Sequence, residues 1–221
     1  LFVFTALLPV LLKIPKQESE SKKDKIPSDF HLFCADFEIS KREAEIILEI
    51  CSGKTNKAIA EKLTRENNLE SAAENIVVST GAKHSIINVM LCLLNPGDEV
   101  IVFAPYWVSY PEMIKLAEGV PVIVEGTLEN EFKVRADQVE AALTDKTKAV
   151  IYSSPCNPTG SVFSEDELKA IAGVLAKRKD IFVISDEIYE YINFRDKHVS
   201  IGAFPDMKEN TITVNGFSKG Y

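Results

Sequence analysis

The chain has 221 residues, of which 46% are hydrophobic and 26% are charged, and its formal net charge is −8 at pH 7. This composition is typical of a soluble enzyme with one large domain, with or without appendages. The negative charge disfavours nucleic acid as a general partner. The four cysteines, Cys34, Cys51, Cys92 and Cys156, show no C-x-x-C spacing. This favours reduced thiols in a cytoplasmic protein over disulfides or a metal site.

The first segment, residues 1–14, is almost wholly apolar, and a charged segment that we interpret as a linker follows it over residues 15–38. A transmembrane helix needs about 20 apolar residues, so the first segment is too short to cross a bilayer alone. Because the chain begins with Leu1 rather than Met, one interpretation is the end of a truncated membrane anchor. The alternatives are a signal-like remnant and an apolar tail.

Residues 39–63 carry the pattern of two short helices separated by a tight turn. Ser40 and Glu43 form a capping-box pattern at the start of the first helix, and residues 56–63 have the spacing of the second. An ordinary helical hairpin has the same pattern. The segment also resembles the first two helices of the LuxR-type helix-turn-helix family. The groove-reading third helix has no counterpart in residues 64–69, so we expect no specific DNA binding.

Beyond residue 64, strand-like runs alternate with segments of helical spacing. This alternation predicts an α/β fold, with a mainly parallel sheet flanked by helices. A capping box at Ser164 and Glu167 predicts a firm start for the helix that follows it. The predicted strands are residues 76–78, 99–103, 120–124, 149–153, 181–185 and 211–214.

Chemically useful side chains follow several of these strands, where ligands of open α/β sheets bind. Asn157 follows the strand at 149–153, and Asp186 and Tyr189 follow that at 181–185. Lys219 follows the last strand. A lysine amine can form a Schiff base, and a carboxylate can keep a pyridine nitrogen protonated. Together these residues indicate a pyridoxal 5′-phosphate (PLP) site.

Two weaker signals point to the same cofactor. Gly81, Ala82 and Lys83 lie where a strand passes into a helix, so their amides could hold a phosphate at the positive helix end. Such turns of small residues are also common without a ligand. Trp107, the only tryptophan, follows another strand and could stack on a planar ring, although it could equally belong to the core.

The sequence contains the motifs S-T-G-A-K, N-P-G-D-E-V, P-Y-W-V-S-Y-P-E, N-P-T-G, S-D-E-I-Y and N-G-F-S-K-G-Y in this order. In this order they resemble the class I/II aminotransferase family, of PLP fold type I, from about residue 58 to residue 221. The third motif is most similar to the bacterial aspartate aminotransferase branch. Residues 58–69 resemble the helix before the family's large domain, so the two resemblances overlap at residues 58–63. This overlap indicates a junction between two unrelated sequences.

The resemblance implies a large domain over residues 64–221 and a role for each candidate residue. It also implies a homodimer that acts on an amino acid and a 2-oxo acid. The implied roles are Gly81, Ala82, Lys83 and Ser218 at the phosphate, Trp107 on the ring and at the substrate, Asn157 and Tyr189 at the 3′-oxygen with Asn157 also at the substrate, Asp186 at the ring nitrogen, and Lys219 as Schiff-base lysine and proton shuttle.

The resemblance also implies arginines for the cofactor phosphate and the substrate carboxylate that would lie beyond Tyr221. We therefore interpret the large domain as incomplete and expect these 221 residues to give little turnover. Three alternatives stay open. They are another PLP reaction, such as that of a lyase, on the same fold; a membrane-tethered regulator based on residues 1–63; and a remnant without activity.

Overall fold

The computed structural model describes residues 2–3, 56–195, 197–216 and 218–219. The strands are β1 (Phe2–Val3), β2 (Val78–Ser79), β3 (Glu99–Ala104), β4 (Val120–Glu125), β5 (Thr147–Ser153), β6 (Phe182–Asp186) and β7 (Thr211–Val214). The α-helices are α1 (Asn56–Asn67), α2 (Ala82–Leu93), α3 (Ser109–Leu116), α4 (Ala136–Ala142) and α5 (Glu165–Leu175). Short 3-10 helices lie at Ala73–Asn75, Leu128–Asn130, Ile201–Ala203 and Lys208–Asn210.

The main sheet has five strands within the described residues, in the order β4-β3-β5-β6-β7. Every neighbouring pair in it is parallel, which confirms the predicted α/β fold. Alternate residues of β3 lie on opposite faces of the sheet. Val100 and Val102 pack with α2 and α3, whereas Ile101 and Phe103 pack with α4 and α5. A strand that is buried on both faces requires a continuous apolar run, as is typical of central parallel strands. Burial of each of these side chains stabilises the folded state by about 1.5–3 kcal/mol.

The register of the sheet aligns the strand ends that lead into the predicted site. Ser153 at the end of β5 lies beside Asp186 at the end of β6. Asp186 in turn lies beside Val214 at the end of β7. Because all three strands run in the same direction, the segments that follow them leave the sheet at one edge. Asn157 and Lys219 follow strands that end at this edge.

Two local predictions have different outcomes. The capping box is confirmed, because Ser164 Oγ accepts a hydrogen bond from the Glu167 amide at 3.3 Å and the Ser164 amide donates to Glu167 Oε2 at 2.8 Å. The strand predicted at 76–78 is wrong in its bounds. The Ile76 amide donates to the Ala73 carbonyl at 3.2 Å, which closes a 3-10 turn, and Ile76 is extended but lies outside the strand, which begins at Val78.

Helix α1 continues beyond residue 63 without interruption. It buries Ala60 and Leu63 against Leu69 and Ile76 in a small cluster of its own. Residues 39–55 of the predicted helix-turn-helix segment lie outside the described residues. So do residues 1 and 4–38, while Phe2 and Val3 form β1, which pairs with β2 in a separate parallel sheet. Over the ranges that the structure describes, there is no helix with both the length and the apolar character that crossing a membrane requires.

Candidate functional site

Asp186 lies at the end of β6, and its side chain is buried, with 4% relative exposure. Its Oδ2 accepts a hydrogen bond from the Tyr110 hydroxyl at 2.5 Å, and its Oδ1 accepts one from the Ile188 amide at 3.2 Å. The carboxyl group is therefore held in one orientation by donors from two different elements. Such a group can present its charge to a ligand without first having to become ordered.

Burial raises the pKa of Asp186 to about 6, an effect that the two hydrogen bonds oppose and the neighbouring charge of Glu187 reinforces. Burial, together with the charge of Asp186 and the hydrogen bond to it, raises the pKa of Tyr110 well above its ordinary value. At neutral pH the Tyr110 phenol therefore keeps its proton and donates a hydrogen bond to the Asp186 carboxylate, which is mostly ionised. A cationic group placed beside Asp186 would stabilise that ionised form further.

Tyr110 is a site residue that the sequence analysis missed. It lies in the first turn of α3, three residues after Trp107, and only 1% of it is exposed. The two rings pack edge to face with their centroids 5.7 Å apart. An i, i+3 spacing at the start of a helix places two side chains on the same face. The available signal was therefore the pair of aromatic residues in P-Y-W-V-S-Y-P-E.

The predicted phosphate residues lie at the start of α2. Gly81 is the N-cap with a φ of 96°, a backbone conformation that glycine adopts without the usual steric cost. The first amides of the helix, including those of Ala82 and Lys83, have no acceptor within the helix itself. The Lys83 ammonium lies 5.0 Å from the centroid of the Trp107 ring. Positive charge and helix-end amides thus lie together, which suits an anion.

Asn157 and Tyr189 also meet in the structure. Asn157 Nδ2 donates to the Tyr189 hydroxyl oxygen at 3.3 Å, and both residues are half-buried. The Asn157 amide donates to Ser153 Oγ at 3.3 Å, which fixes the start of this loop to the end of β5. Because the phenol accepts from Asn157, its own O–H is directed elsewhere. The pair can therefore offer two donors to one oxygen atom of a ligand.

Ser218 and Lys219 lie in a turn beyond β7, and both are exposed. Within the described part of the chain, their side chains make no hydrogen bond or ion pair. Asn215, just before them, is buried, with 3% relative exposure. Its Oδ1 accepts from the Gly216 amide at 2.7 Å, while its Nδ2 has no partner among the described residues. A buried amide without a partner is uncommon and implies that another group completes this end of the site.

The structure thus links Lys83, Trp107, Tyr110 and Asp186 in one chain of contacts. It joins Asn157 and Tyr189 in a second group. The site combines a buried carboxylate, an amide and phenol pair, and a helix start with a nearby ammonium. This set suits a planar nitrogen heterocycle that carries an oxygen substituent and a phosphate, so the residues present fit PLP.

A small cleft lies beside these groups. Its floor includes Phe103, Tyr152 and Phe163, which pack against one another. The cleft reaches the site through Tyr110, which also lines it.

Comparisons with known proteins agree with this geometry. The family model for aminotransferase class I and II matches residues 37–221. The chain is 48% identical over 166 residues to an aspartate aminotransferase of Bacillus subtilis (strain 168), covering 74% of this chain and 42% of the relative. It is 46% identical over 167 residues to an aspartate/prephenate aminotransferase of Nitrosomonas europaea, with 75% and 42% covered. The chain therefore spans about two fifths of the length of these curated relatives.

Solved structures show the same similarity. The aspartate aminotransferase of Thermus thermophilus with maleate superposes with a TM-score of 0.72 at 41% identity, covering 77% of this chain and 47% of the other. The aspartate aminotransferase of Rhizobium meliloti superposes with a TM-score of 0.75 at 32% identity, covering 92% and 51%. The match to the family model begins at residue 37 and so includes residues 39–63.

Proposed function

This chain belongs to the aminotransferase class I and II family, and we propose that it carries the cofactor site of a PLP-dependent aminotransferase. The substrates would be an amino acid such as aspartate and a 2-oxo acid. One observation carries the proposal. The Asp186 carboxylate is buried at a sheet edge, and the strands that precede Asn157 and Lys219 end at the same edge. When bound, PLP supplies an electron sink that stabilises negative charge at the α-carbon of an amino acid.

Asp186 would hold the ring nitrogen and keep it protonated. Its carboxylate is already oriented by Tyr110 and Ile188, so little reorganisation would accompany binding. A positively charged nitrogen would lower the pKa of Asp186 from the value of about 6 that burial produces. This ion pair would keep the electron sink effective at neutral pH.

Asn157 and Tyr189 would donate to the oxygen substituent of the ring, because both groups carry protons directed away from their mutual contact. The α2 start at Gly81, Ala82 and Lys83, together with Ser218, would hold the phosphate. Trp107 would cover one face of the ring. Both Trp107 and Asn157 would also contact the substrate. These contacts would fix the plane of the cofactor and exclude water from it.

Lys219 would hold the cofactor through its amine nitrogen Nζ. The same nitrogen would move a proton to and from the substrate α-carbon. Its exposure in this structure is consistent with a side chain whose partner is the cofactor itself. We propose aspartate as the amino acid because the chain is similar to aspartate aminotransferases.

The decisive experiment is incubation with PLP followed by borohydride reduction and peptide mass mapping. We expect a phosphopyridoxyl group on Lys219 and none on Lys83, which is the matched lysine at the same site. Label on another lysine, or no label, would contradict the assignment. A coupled assay with aspartate and 2-oxoglutarate then tests transamination, and loss of CO₂ or of a β-substituent instead would indicate a lyase.

Three further points are part of this proposal. We expect a homodimer, as is typical of the family, and light scattering of the purified chain tests it. We expect a cytoplasmic location, which cell fractionation tests. The resemblance of residues 39–63 to a helix-turn-helix stays a prediction, and we expect no sequence-specific binding of this segment to DNA in a mobility-shift assay at moderate salt.

A further inference from the structure

We propose that Glu187 and His198 form a buried pair that positions Tyr189 at the cofactor site. The inference rests on the proposed function, because the ligand of Tyr189 is the cofactor assigned above. Within the described residues, neither side chain forms a hydrogen bond with Asn157 or Asp186, so both residues would act through Tyr189 as positioning residues.

Glu187 is almost fully buried, with 1% relative exposure, and its carboxylate is held from several directions. Oε2 lies 2.8 Å from His198 Nε2. Oε1 accepts from Ser200 Oγ at 2.6 Å and from Ser185 Oγ at 2.8 Å. The Glu187 amide also donates to the Val214 carbonyl of β7 at 2.8 Å. Both the backbone and the side chain of this residue are therefore fixed to the sheet and to the segment that contains His198.

Glu190 holds the other side of Tyr189. Its side chain has 8% relative exposure and accepts a hydrogen bond from Asn67 Nδ2, at the last residue of α1. Between the two glutamates, the Glu190 amide donates to the Glu187 carbonyl at 3.0 Å, and the Ile192 amide donates to the Tyr189 carbonyl at 2.8 Å. Tyr189 thus lies on a tight turn whose flanking side chains are both fixed, which leaves its phenol little freedom to leave Asn157.

The charges in this cluster explain why His198 matters. Burial lowers the pKa of His198, but the hydrogen bond and charge of Glu187 and the charge of Glu190 outweigh that effect and raise it. The imidazole is therefore favoured as the cation between two buried carboxylates. His198 Nδ1 has no partner among the described residues, so the contact through Nε2 holds the ring. Without His198, Glu187 and Glu190 would repel each other with no cation between them.

Amide hydrogen exchange of the cofactor-free chain tests the structural part of the inference. His198→Leu removes the donor, His198→Gln keeps an amide near the Nε2 position, and Lys208→Gln breaks the exposed pair with Glu70 as a matched control. We expect exchange in residues 187–192 to rise at least about tenfold in His198→Leu while residues 147–153 change little. His198→Gln should restore most of the protection, and the control should match wild type.

If His198→Leu does not fold, Ser200→Ala removes a single hydrogen bond from Glu187 and should give a smaller rise over the same residues. Unchanged exchange at 187–192 in the folded variants would overturn the inference. So would an equal rise across the whole sheet, because that result describes general loss of stability rather than positioning of one turn.

Cofactor affinity supplies a second, independent measurement. His198→Leu should weaken PLP binding by about tenfold in the wild-type background and by much less in a Tyr189→Phe background, because positioning acts only through that phenol. Equal weakening in both backgrounds would overturn the inference. A wild-type chain that binds no PLP would count against the proposed function, whereas the exchange experiment would still decide whether the pair fixes the Tyr189 turn.

Discussion

The segments that follow β6 and β7 leave the sheet side by side, yet they are held very differently. After β6, Asp186 and Glu187 are buried and each accepts hydrogen bonds from several donors. After β7, Ser218 and Lys219 are exposed and make no side-chain contact of that kind within the described residues. The comparison teaches that the fold already holds the Asp186 carboxyl group, which we propose as the partner of a ring nitrogen, whereas Lys219, which we propose as the reactive amine, is exposed.

The largest expected effect comes from Lys219 in the exposed segment after β7. Lys219→Ala should abolish phosphopyridoxyl labelling, since we expect no label on Lys83, the other lysine at this site, and should leave thermal stability unchanged because only an exposed side chain is lost. Borohydride labelling and a melting curve of the same sample check both statements. Lys177→Ala, another exposed lysine, is the control. A marked drop in melting temperature would mean that Lys219 already has a structural role.

Substitution of the buried Asp186 should change both the affinity for PLP and the stability of the fold. Asp186→Ala removes the partner of the ring nitrogen, so PLP affinity should fall by about a hundredfold, as loss of a charge-assisted contact predicts. The Tyr110 hydroxyl would also lose its acceptor, which costs about 1–3 kcal/mol of unfolding free energy. Equilibrium dialysis and urea denaturation measure the two effects. Unchanged affinity would show that Asp186 is structural only.

The raised pKa of Asp186 predicts a particular pH dependence of stability. Its folded pKa of about 6 lies above the ordinary value of 3.8, so the folded state keeps a proton that the unfolded chain has released. This contribution to stability is complete below pH 4 and is lost as pH rises through 6, by at most about 3 kcal/mol. Urea titrations from pH 4 to 7 should show this decline relative to Asp186→Asn. Parallel curves for the two proteins would contradict the assignment.

The smallest expected effect concerns the hydrogen bond that the sequence analysis missed. Tyr110→Phe keeps the ring against Trp107 but removes the donor to Asp186. We expect a loss of about 1–2 kcal/mol in unfolding free energy and a further rise in the pKa of Asp186, because this hydrogen bond lowers it. Denaturation at two pH values detects both changes. Tyr106→Phe, a nearby ring outside this contact, is the control.

Local patterns in the sequence determined most of the architecture. The last strand was predicted with its observed bounds, Thr211–Val214, because a run of β-branched residues between polar residues strongly favours a strand. The capping box at Ser164 follows the same logic, since its partners lie within a single turn. The sheet edge that carries Asn157, Asp186 and Lys219 could also be predicted, because parallel strands present their carboxyl ends on one side.

Only the tertiary structure decided which side chains meet at that edge. Tyr110 and Asp186 are 76 residues apart in sequence, and Asn67 and Glu190 are 123 apart. Their pairing depends on strand register and helix docking, which no local pattern contains. Periodicity specifies which face a residue occupies, whereas the partner of a buried polar group is chosen by distant segments that must satisfy it on folding.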